Sequence, residues 1–167
     1  LAHGNRIPLL IVPGDVFADR LPDPVLQQVE DFTDGTVSAN GCFRPVSRYF
    51  DRITRPEQLM RALPRAFRTM TDPADCGPVT LAFCQDTQAE AYDFPASFFE
   101  PRVLHFRRPP PEKAQIEAAI ETLANASHPM IVAGGGVHYS GATEILSTVA
   151  STHMIPVAET QAGTAAL

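Results

Sequence analysis

Residues 43–91 read FRPVSRYFDRITRPEQLMRALPRAFRTMTDPADCGPVTLAFCQDTQAEA, and this stretch decides the fold of the chain. Its pattern predicts a short strand, a helix, a polar turn and a buried strand, which together make one α/β unit. Residues 79–83 form a short apolar run that follows Gly77-Pro78 and precedes Gln85-Asp86. Such a run is typical of a strand covered on both faces, so we expect a central parallel strand here.

A helix is predicted before this strand. Four apolar side chains recur at spacings of four, four and three residues, which places them on one helical face: Leu59, Leu63, Phe67 and Met70. Pro56 marks the start, because proline is tolerated in the first turn, and residues 71–73 mark the end. Pro64 conflicts with the helix because it has no N–H for the carbonyl of Met60. We therefore expect a kink, or two short helices that meet at Leu63.

The segment upstream predicts a second buried strand. Residues 7–12 are continuously apolar and are followed by Pro13-Gly14-Asp15, which predicts a tight turn. The alternative for Asp15 is a role in ligand binding, because open α/β sheets place their ligand crevice beyond the carboxyl ends of their strands.

The next residues predict a short helix, a strand and a loop. Asp23-Pro24 offers a helix start, and four apolar residues follow on one face before the helix ends near Asp34-Gly35: Val25, Leu26, Val29 and Phe32. Residues 36–38 are a possible third strand. Residues 39–42 then form a loop, in which Asn40-Gly41 is an ordinary turn dipeptide.

A proline-rich stretch divides the chain. Five prolines punctuate residues 94–111 and disfavour regular helix or sheet, so we expect an extended connector between domains. We place one domain at residues 1–99, the connector at 100–111 and a second domain at 112–167.

The second domain predicts two parallel strands joined by a helix. A helix opens at Pro111, residues 130–133 are a buried strand, and Gly134 to Gly136 turn the chain. A second helix is predicted to start at Ser140, and a strand at about residues 155–158 follows. The glycines fail the spacing of a dinucleotide site, because G-x-G-x-x-G would need glycine at Tyr139, and a structural turn is favoured.

Bulk composition excludes several classes of protein. The chain has 167 residues and a net charge of −6, so no broad basic field is present to bind nucleic acid or an anionic membrane. Its apolar runs fall short of the ~20 residues that a membrane helix needs. No export signal is visible, so the cytoplasm is the expected location. We expect reduced thiols at Cys42, Cys76 and Cys84, which lack disulfide or zinc spacing.

The histidines and cysteines are the residues that could form a metal site or a nucleophile pair. The five histidines have no partner at zinc-ligand spacing, so the sequence predicts no metal site: His3, His105, His128, His138 and His153. A Cys–His nucleophile pair stays open, because distant residues can meet in a fold.

A specific resemblance emerges from the ordered motifs. Residues 43–50 (FRPVSRYF), 56–59 (PEQL), 65–67 (RAF), 77–79 (GPV) and 85–86 (QD) resemble the later half of the pyrimidine-binding domain of thiamine-diphosphate enzymes. Within that superfamily, three further motifs most resemble the trihydroxycyclohexane-1,2-dione hydrolases of inositol catabolism: residues 5–15 (NRIPLLIVPGD), 24–28 (PVLQQ) and 157–163 (VAETQAG).

The resemblance implies an α/β fold made of parts of two three-layer, parallel-sheet domains. The first is the C-terminal part of a pyrimidine-binding domain, and the second is the start of a Rossmann-like central domain. It also implies a longer parent enzyme, with the catalytic glutamate expected before Leu1 and the segment that binds Mg²⁺ and diphosphate after Leu167. The chain alone is then expected to be inactive and to bind little or no cofactor.

For the parent, the resemblance implies thiamine diphosphate and Mg²⁺ as cofactors. It implies ring cleavage of a cyclic diketone to a deoxyglucuronate. Among the residues present, it places only Asn40 and Cys42 near the cofactor cleft, at the neighbouring subunit. An acetolactate-synthase-like carboligase or decarboxylase is the alternative enzyme, and a non-catalytic structural or dimerisation module is the alternative outside enzymes. We expect self-association as a dimer or tetramer, because incomplete sheets expose edge strands.

Overall fold

The computed structural model describes residues 1–19, 33–34 and 36–167. These residues form two compact units, Leu1–Phe106 and Arg107–Leu167. The short helix predicted from Asp23-Pro24, with its apolar face at Val25, Leu26, Val29 and Phe32, lies outside the described residues. No helix in the described part of the chain is both long enough and apolar enough to span a bilayer.

The described residues of unit 1 (Leu1–Phe106) form four short strands and one α-helix. In chain order they are β1 (Leu10–Ile11), β2 (Gly14–Asp15), β3 (Tyr49–Ile53), α1 (Leu59–Thr71) and β4 (Val79–Cys84). Four 3₁₀ segments connect them or follow them: Ala39–Val46, Pro56–Gln58, Thr87–Ala89 and Ala96–Phe98. The predicted order of strand, helix, turn and buried strand is confirmed.

All strands of this sheet are parallel, and β4 lies at its centre. Strand β3 pairs with β4 from Tyr49 opposite Val79 to Ile53 opposite Phe83. On the other side, β1 pairs with the start of β4 and β2 with its end. Since β4 has strands on both sides and five of its six residues are buried, the prediction of a central parallel strand is confirmed.

The predicted turn at residues 13–15 is wrong. Gly14 and Asp15 are strand β2, and the carbonyl of Pro13 accepts a hydrogen bond from the N–H of Phe83 at 2.9 Å. Pro13 lies between β1 and β2, and its carbonyl takes part in the pairing with β4 although it has no N–H to donate. The extended path therefore continues through the proline and carries Asp15 to the carboxyl edge of the sheet.

Helix α1 packs its alanines against the sheet. The core joins buried residues of α1, β3 and β4: Ile53, Ala62, Ala66, Met70, Val79 and Leu81. Leu59 and Leu63 pack partly against it, as predicted, but Phe67 is 41% exposed. Small alanine side chains let the helix approach the strands closely, and this turns the buried face away from Phe67.

Pro64 does not divide the helix. Helix α1 is one continuous element from Leu59 to Thr71, so the alternative of two short helices is wrong. Ala62 and Ala66 are buried on either side of the proline, and this packing holds the helix together across the lost hydrogen bond. A kink at Pro64 stays a prediction.

The possible third strand at residues 36–38 is also wrong. Thr36 lies in a turn, where its N–H and its hydroxyl both donate to Oδ1 of Asp34, at 2.8 and 2.6 Å. Ser38 caps the 3₁₀ segment Ala39–Val46, with its hydroxyl oxygen accepting from the N–H of Asn40. Local side-chain hydrogen bonds replace strand pairing here.

Unit 2 (Arg107–Leu167) contains three helices and a two-stranded sheet. Its elements are α2 (Lys113–Asn125), β5 (Ile131–Ala133), α3 (Gly136–Ser140), α4 (Thr143–His153) and β6 (Val157–Glu159), followed by the 3₁₀ segment Gln161–Gly163. Strands β5 and β6 are parallel, with Ile131 opposite Val157, so the predicted parallel pair is confirmed.

The second helix of this unit begins later than predicted. Ser140 ends α3, and α4 starts at Thr143. Gly141 between them has φ +66°, a left-handed conformation that terminates a helix and favours glycine. Between Phe98 and Lys113 the chain forms no regular helix or strand. The domain boundaries at residues 99 and 112 stay a prediction.

Candidate functional site

Polar side chains gather at the carboxyl edge of the unit 1 sheet, where parallel α/β sheets usually bind ligands. The strands contribute Asp15 at the end of β2, Arg52 near the end of β3 and Cys84 at the end of β4. Ser38 and Asn40 join them from the start of the 3₁₀ segment Ala39–Val46.

Asp15 is the centre of this cluster. It is 0% exposed, and its Oδ2 accepts a hydrogen bond from Nε of Arg52 at 2.7 Å. Its Oδ1 accepts from the hydroxyl of Ser38 at 2.5 Å and from the N–H of Val16 at 2.8 Å. Because all three of these donors belong to the protein and the carboxylate is buried, Asp15 is part of the framework of this edge.

Asn40 and Cys42 occupy different environments. Asn40 is 7% exposed, and its side-chain amide donates to the carbonyl of Gly14 at 2.7 Å. Cys42 is exposed on the same segment and is a free thiol. The amide of Asn40 is therefore used to attach the segment to β2, whereas the Cys42 thiol is available to molecules that approach this edge.

Asp86 holds the chain that leaves β2. Its carboxylate accepts hydrogen bonds from the N–H groups of Ala18, Asp19 and Thr87. Burial alone would raise the pKa of Asp86, but these backbone N–H groups together outweigh it and lower the pKa below its ordinary value. The carboxylate is therefore ionised at neutral pH and fixes residues 18–19 beside the end of β4.

The two other thiols are structural. Burial raises the pKa of the Cys84 thiol, and the Arg52 guanidinium opposes this shift. Burial also raises the pKa of Cys76, whose Sγ donates to the carbonyls of Arg6 and Met70. A thiol with a raised pKa is a poor nucleophile at neutral pH. The structure therefore gives no support to a Cys–His nucleophile built on Cys76 or Cys84.

Described residues of unit 1 line two open depressions, among others. One, of about 400 Å³, adjoins Asp86 and is lined mainly by charged residues: Asp19, Arg55, Glu57, Asp86 and Glu90. The other, of about 460 Å³, lies over α1 between Leu63, Phe67 and residues 98–104. No group of three or more metal-ligating side chains occurs among the described residues. These residues therefore do not fit a Mg²⁺ site, and no chemical step is assigned to a metal here.

The glycine turn of unit 2 is a packing feature. Gly163 lies so close to β5 that a Cβ atom there would overlap the Ala133 carbonyl. Gly135 faces the carbonyl of Ala162. The three glycines at residues 134–136 directly follow β5, and β5 contacts the segment after β6 at this point. This position agrees with the structural turn predicted from their spacing.

Comparison with known proteins finds a family match in unit 2 and relatives along nearly the whole chain. Residues 116–167 match the family described as thiamine pyrophosphate enzyme, central domain. Nearly the whole chain is similar to proteins named 3D-(3,5/4)-trihydroxycyclohexane-1,2-dione hydrolase. That of Bacillus velezensis is 52% identical over 97% of the chain, and that of Bacillus subtilis is 49% identical over 97%.

A third relative, from Bacillus cereus, carries the same name and is 51% identical over 99% of the chain. The chain spans about a quarter of the length of these relatives, 25 or 26% in each. The similarity runs through both units. The resemblance seen in the motifs of residues 5–15, 43–86 and 157–163 is thereby confirmed.

Sequence reasoning did not find Arg52 or Ser38. The available signal was a charged residue inside a predicted strand, because an arginine in a covered parallel strand needs a partner of opposite charge. Asp15, at the end of β2 on the other side of β4, meets that need. The turn predicted at residues 13–15 hides this partner, because it ends the strand before Asp15.

Proposed function

We propose that this chain is part of a thiamine-diphosphate-dependent enzyme that hydrolyses a C–C bond of trihydroxycyclohexane-1,2-dione. The observation that carries the proposal is the identity of 49–52% to proteins of that name over at least 97% of the chain. Identity at this level extends through both units, so it does not derive from a shared cofactor domain alone.

The reaction that the name describes opens the ring. The bond between the two carbonyl carbons breaks, and water supplies a hydroxyl to one carbon and hydrogen to the other. The product is an open-chain acid that keeps an aldehyde, a deoxyglucuronate. Thiamine diphosphate supplies the chemistry of C–C cleavage when it is bound, and we infer Mg²⁺ as the ion that holds its diphosphate.

Within this proposal, residues 1–99 correspond to the C-terminal part of a pyrimidine-binding domain. Residues 100–111 connect it to a central domain that starts at residue 112. The segment Ala39–Val46, with Asn40 and Cys42, approaches the cofactor cleft of a neighbouring subunit. Several apolar side chains of unit 2 are exposed, such as Ile120, which is 60% exposed, and Ile145, which is 68% exposed. Their exposure supports the proposal that further protein covers them, in a dimer or tetramer. The proposed location is the cytoplasm.

The decisive test is an assay of the full-length protein that carries this sequence. The purified protein is incubated with the cyclic dione, thiamine diphosphate and Mg²⁺, and ring opening is followed by mass spectrometry. We expect product that depends on thiamine diphosphate and gains the mass of one water. Conversion of pyruvate to acetolactate without ring opening would favour the carboligase alternative instead. Absence of both activities in folded protein would favour a non-catalytic module.

A further inference from the structure

We propose that Asp15 is a positioning residue that fixes the segment Ala39–Val46 at the carboxyl edge of the sheet. Asp15 is 0% exposed, and three donors surround its carboxylate. A carboxylate buried in this way faces protein and does not face a ligand. Its influence on a ligand therefore passes through the residues that it holds.

Strand β2 holds the beginning of the segment at two points. The hydroxyl of Ser38 donates to Asp15 and accepts from the N–H of Asn40, so one side chain links the carboxylate to the first turn of the segment. The amide of Asn40 reaches back to the carbonyl of Gly14 at 2.7 Å. Gly14 and Asp15 are the two residues of β2, so one short strand sets the position of the entry to the segment.

Different residues hold the end of the segment. The guanidinium of Arg44 lies 4.2 Å from the centre of the Phe50 ring on β3. The Ser47 and Thr80 hydroxyls are 2.8 Å apart, which attaches the exit to β4. Loss of the Asp15 carboxylate therefore removes one of the two attachments of the entry, leaves the bond from Asn40 to Gly14, and leaves the exit attached. Cys42 lies between the attachments of the entry and the exit, and its thiol is exposed.

The consequence for the cofactor rests on the proposed function, in which this segment approaches the cleft of a neighbouring subunit. A segment held in one conformation binds without the entropic cost of ordering it. We therefore expect loss of the Asp15 attachment to weaken thiamine diphosphate binding more than it slows turnover at saturating cofactor.

The test uses the full-length protein with two disrupting variants, Asp15→Asn and Ser38→Ala. Ser38→Thr keeps the hydroxyl and serves as the rescue. Thr36→Ala is the matched control, because it removes a hydroxyl two residues away whose bond goes to Asp34. The first measurement is alkylation of Cys42 by iodoacetamide, located by peptide mapping, together with hydrogen exchange of residues 38–46. The second is the thiamine diphosphate concentration at half-maximal activity.

We expect Cys42 alkylation and local exchange to rise about fivefold in Asp15→Asn and Ser38→Ala, the effect of losing one good hydrogen bond. Ser38→Thr and Thr36→Ala should stay within about twofold of the parent. The half-saturating cofactor concentration should rise by a similar factor while kcat at saturation changes less, a split that simple loss of folded protein would not give.

Equal alkylation and exchange in the parent and both disrupting variants would overturn the positioning role. A rise in both, with no change in half-saturation, would overturn the link to the cofactor. Alkylation and exchange are measured without cofactor. A rise in both rates therefore supports the positioning role even if the full-length protein proves independent of thiamine diphosphate. In that case only the proposed function fails.

Discussion

Nε of Arg52 lies 2.7 Å from Oδ2 of Asp15, and this ion pair joins β3 to β2 across the end of β4. The two strands flank β4 on opposite sides. Asp15 is 0% exposed and the Arg52 side chain is 23% exposed. The pair therefore connects both outer strands at the edge where the candidate site lies.

Removal of the arginine should destabilise unit 1. Arg52→Met keeps much of the side-chain volume but leaves the Asp15 carboxylate buried without its charge partner. We expect a loss of about 2–3 kcal/mol in the free energy of unfolding, below the full cost of breaking a buried pair because Arg52 is partly exposed. Urea unfolding followed by far-ultraviolet circular dichroism measures the loss.

Arg55→Met is the matched control for that measurement. Arg55 is 74% exposed and lies 3.9 Å from Glu57, so its ion pair is a surface pair expected to contribute less than about 1 kcal/mol. Equal losses in Arg52→Met and Arg55→Met would contradict a structural role for the Asp15 pair.

The sequence predicts most of unit 1 because its signals are local. The apolar run at residues 79–83 and the cap signals around α1 depend on neighbours in the chain. The prediction that Phe67 lies on the buried face of α1 is wrong, because periodicity gives only the approximate direction of that face. The alanines that contact the sheet carry little hydrophobic signal of their own. The outcome at Pro64 depends on packing by Ala62 and Ala66, which pattern alone does not weigh.

The candidate site was harder to predict because its contacts are distant in sequence. Asp15 and Arg52 are 37 residues apart, and Asn40 reaches Gly14 across 26 residues. Only the strand order brings them together. Asn40 and Cys42 came from a family resemblance, and no local signal distinguished their Asn-Gly dipeptide from an ordinary turn.

Tyr49 should titrate at higher pH than an ordinary tyrosine. Burial raises its pKa to about 12, and its hydrogen bond to Asp51 adds to the shift. Between the unfolded value near 10 and the folded value, the unfolded chain loses the proton first, so stability falls as pH rises through this window. Titration by tyrosinate absorbance should lose its late phase in Tyr49→Phe. Asp51→Asn should move that phase to lower pH, and an unmoved phase would exclude Asp51 as a cause.

Asp86 should contribute to acid sensitivity. Its folded pKa lies below the unfolded value of about 3.9, so its stabilisation is present above that pH and is lost as pH falls through the folded pKa. Asp86→Asn should lower stability at neutral pH and reduce its dependence on pH below about 4. Acid unfolding of the parent and variant measures this. Glu90→Gln, exposed on the same loop, is the control, and identical acid curves for the parent and Asp86→Asn would refute the role.

Gly163→Ala should destabilise unit 2 through backbone overlap. A Cβ atom at residue 163 would lie 2.8 Å from the carbonyl carbon of Ala133 and 3.0 Å from Cα of Gly134, and neither backbone atom can rotate away. The segment after β6 must shift from the end of β5, at a cost of about 1–3 kcal/mol. Gly136→Ala is the control, because no atom lies within 4 Å of its Cβ position at the start of α3, where alanine favours helix.

Hydrogen exchange at the N–H of Thr160, which donates to the Ala133 carbonyl at 2.9 Å, reports this contact directly. We expect faster exchange there in Gly163→Ala and unchanged or slower exchange in Gly136→Ala. If Gly163→Ala left the exchange of Thr160 unchanged, the close approach of the two backbones would not be required for the fold of unit 2. Gly163 would then be replaceable without cost, whereas the geometry requires a residue with no side chain at this position.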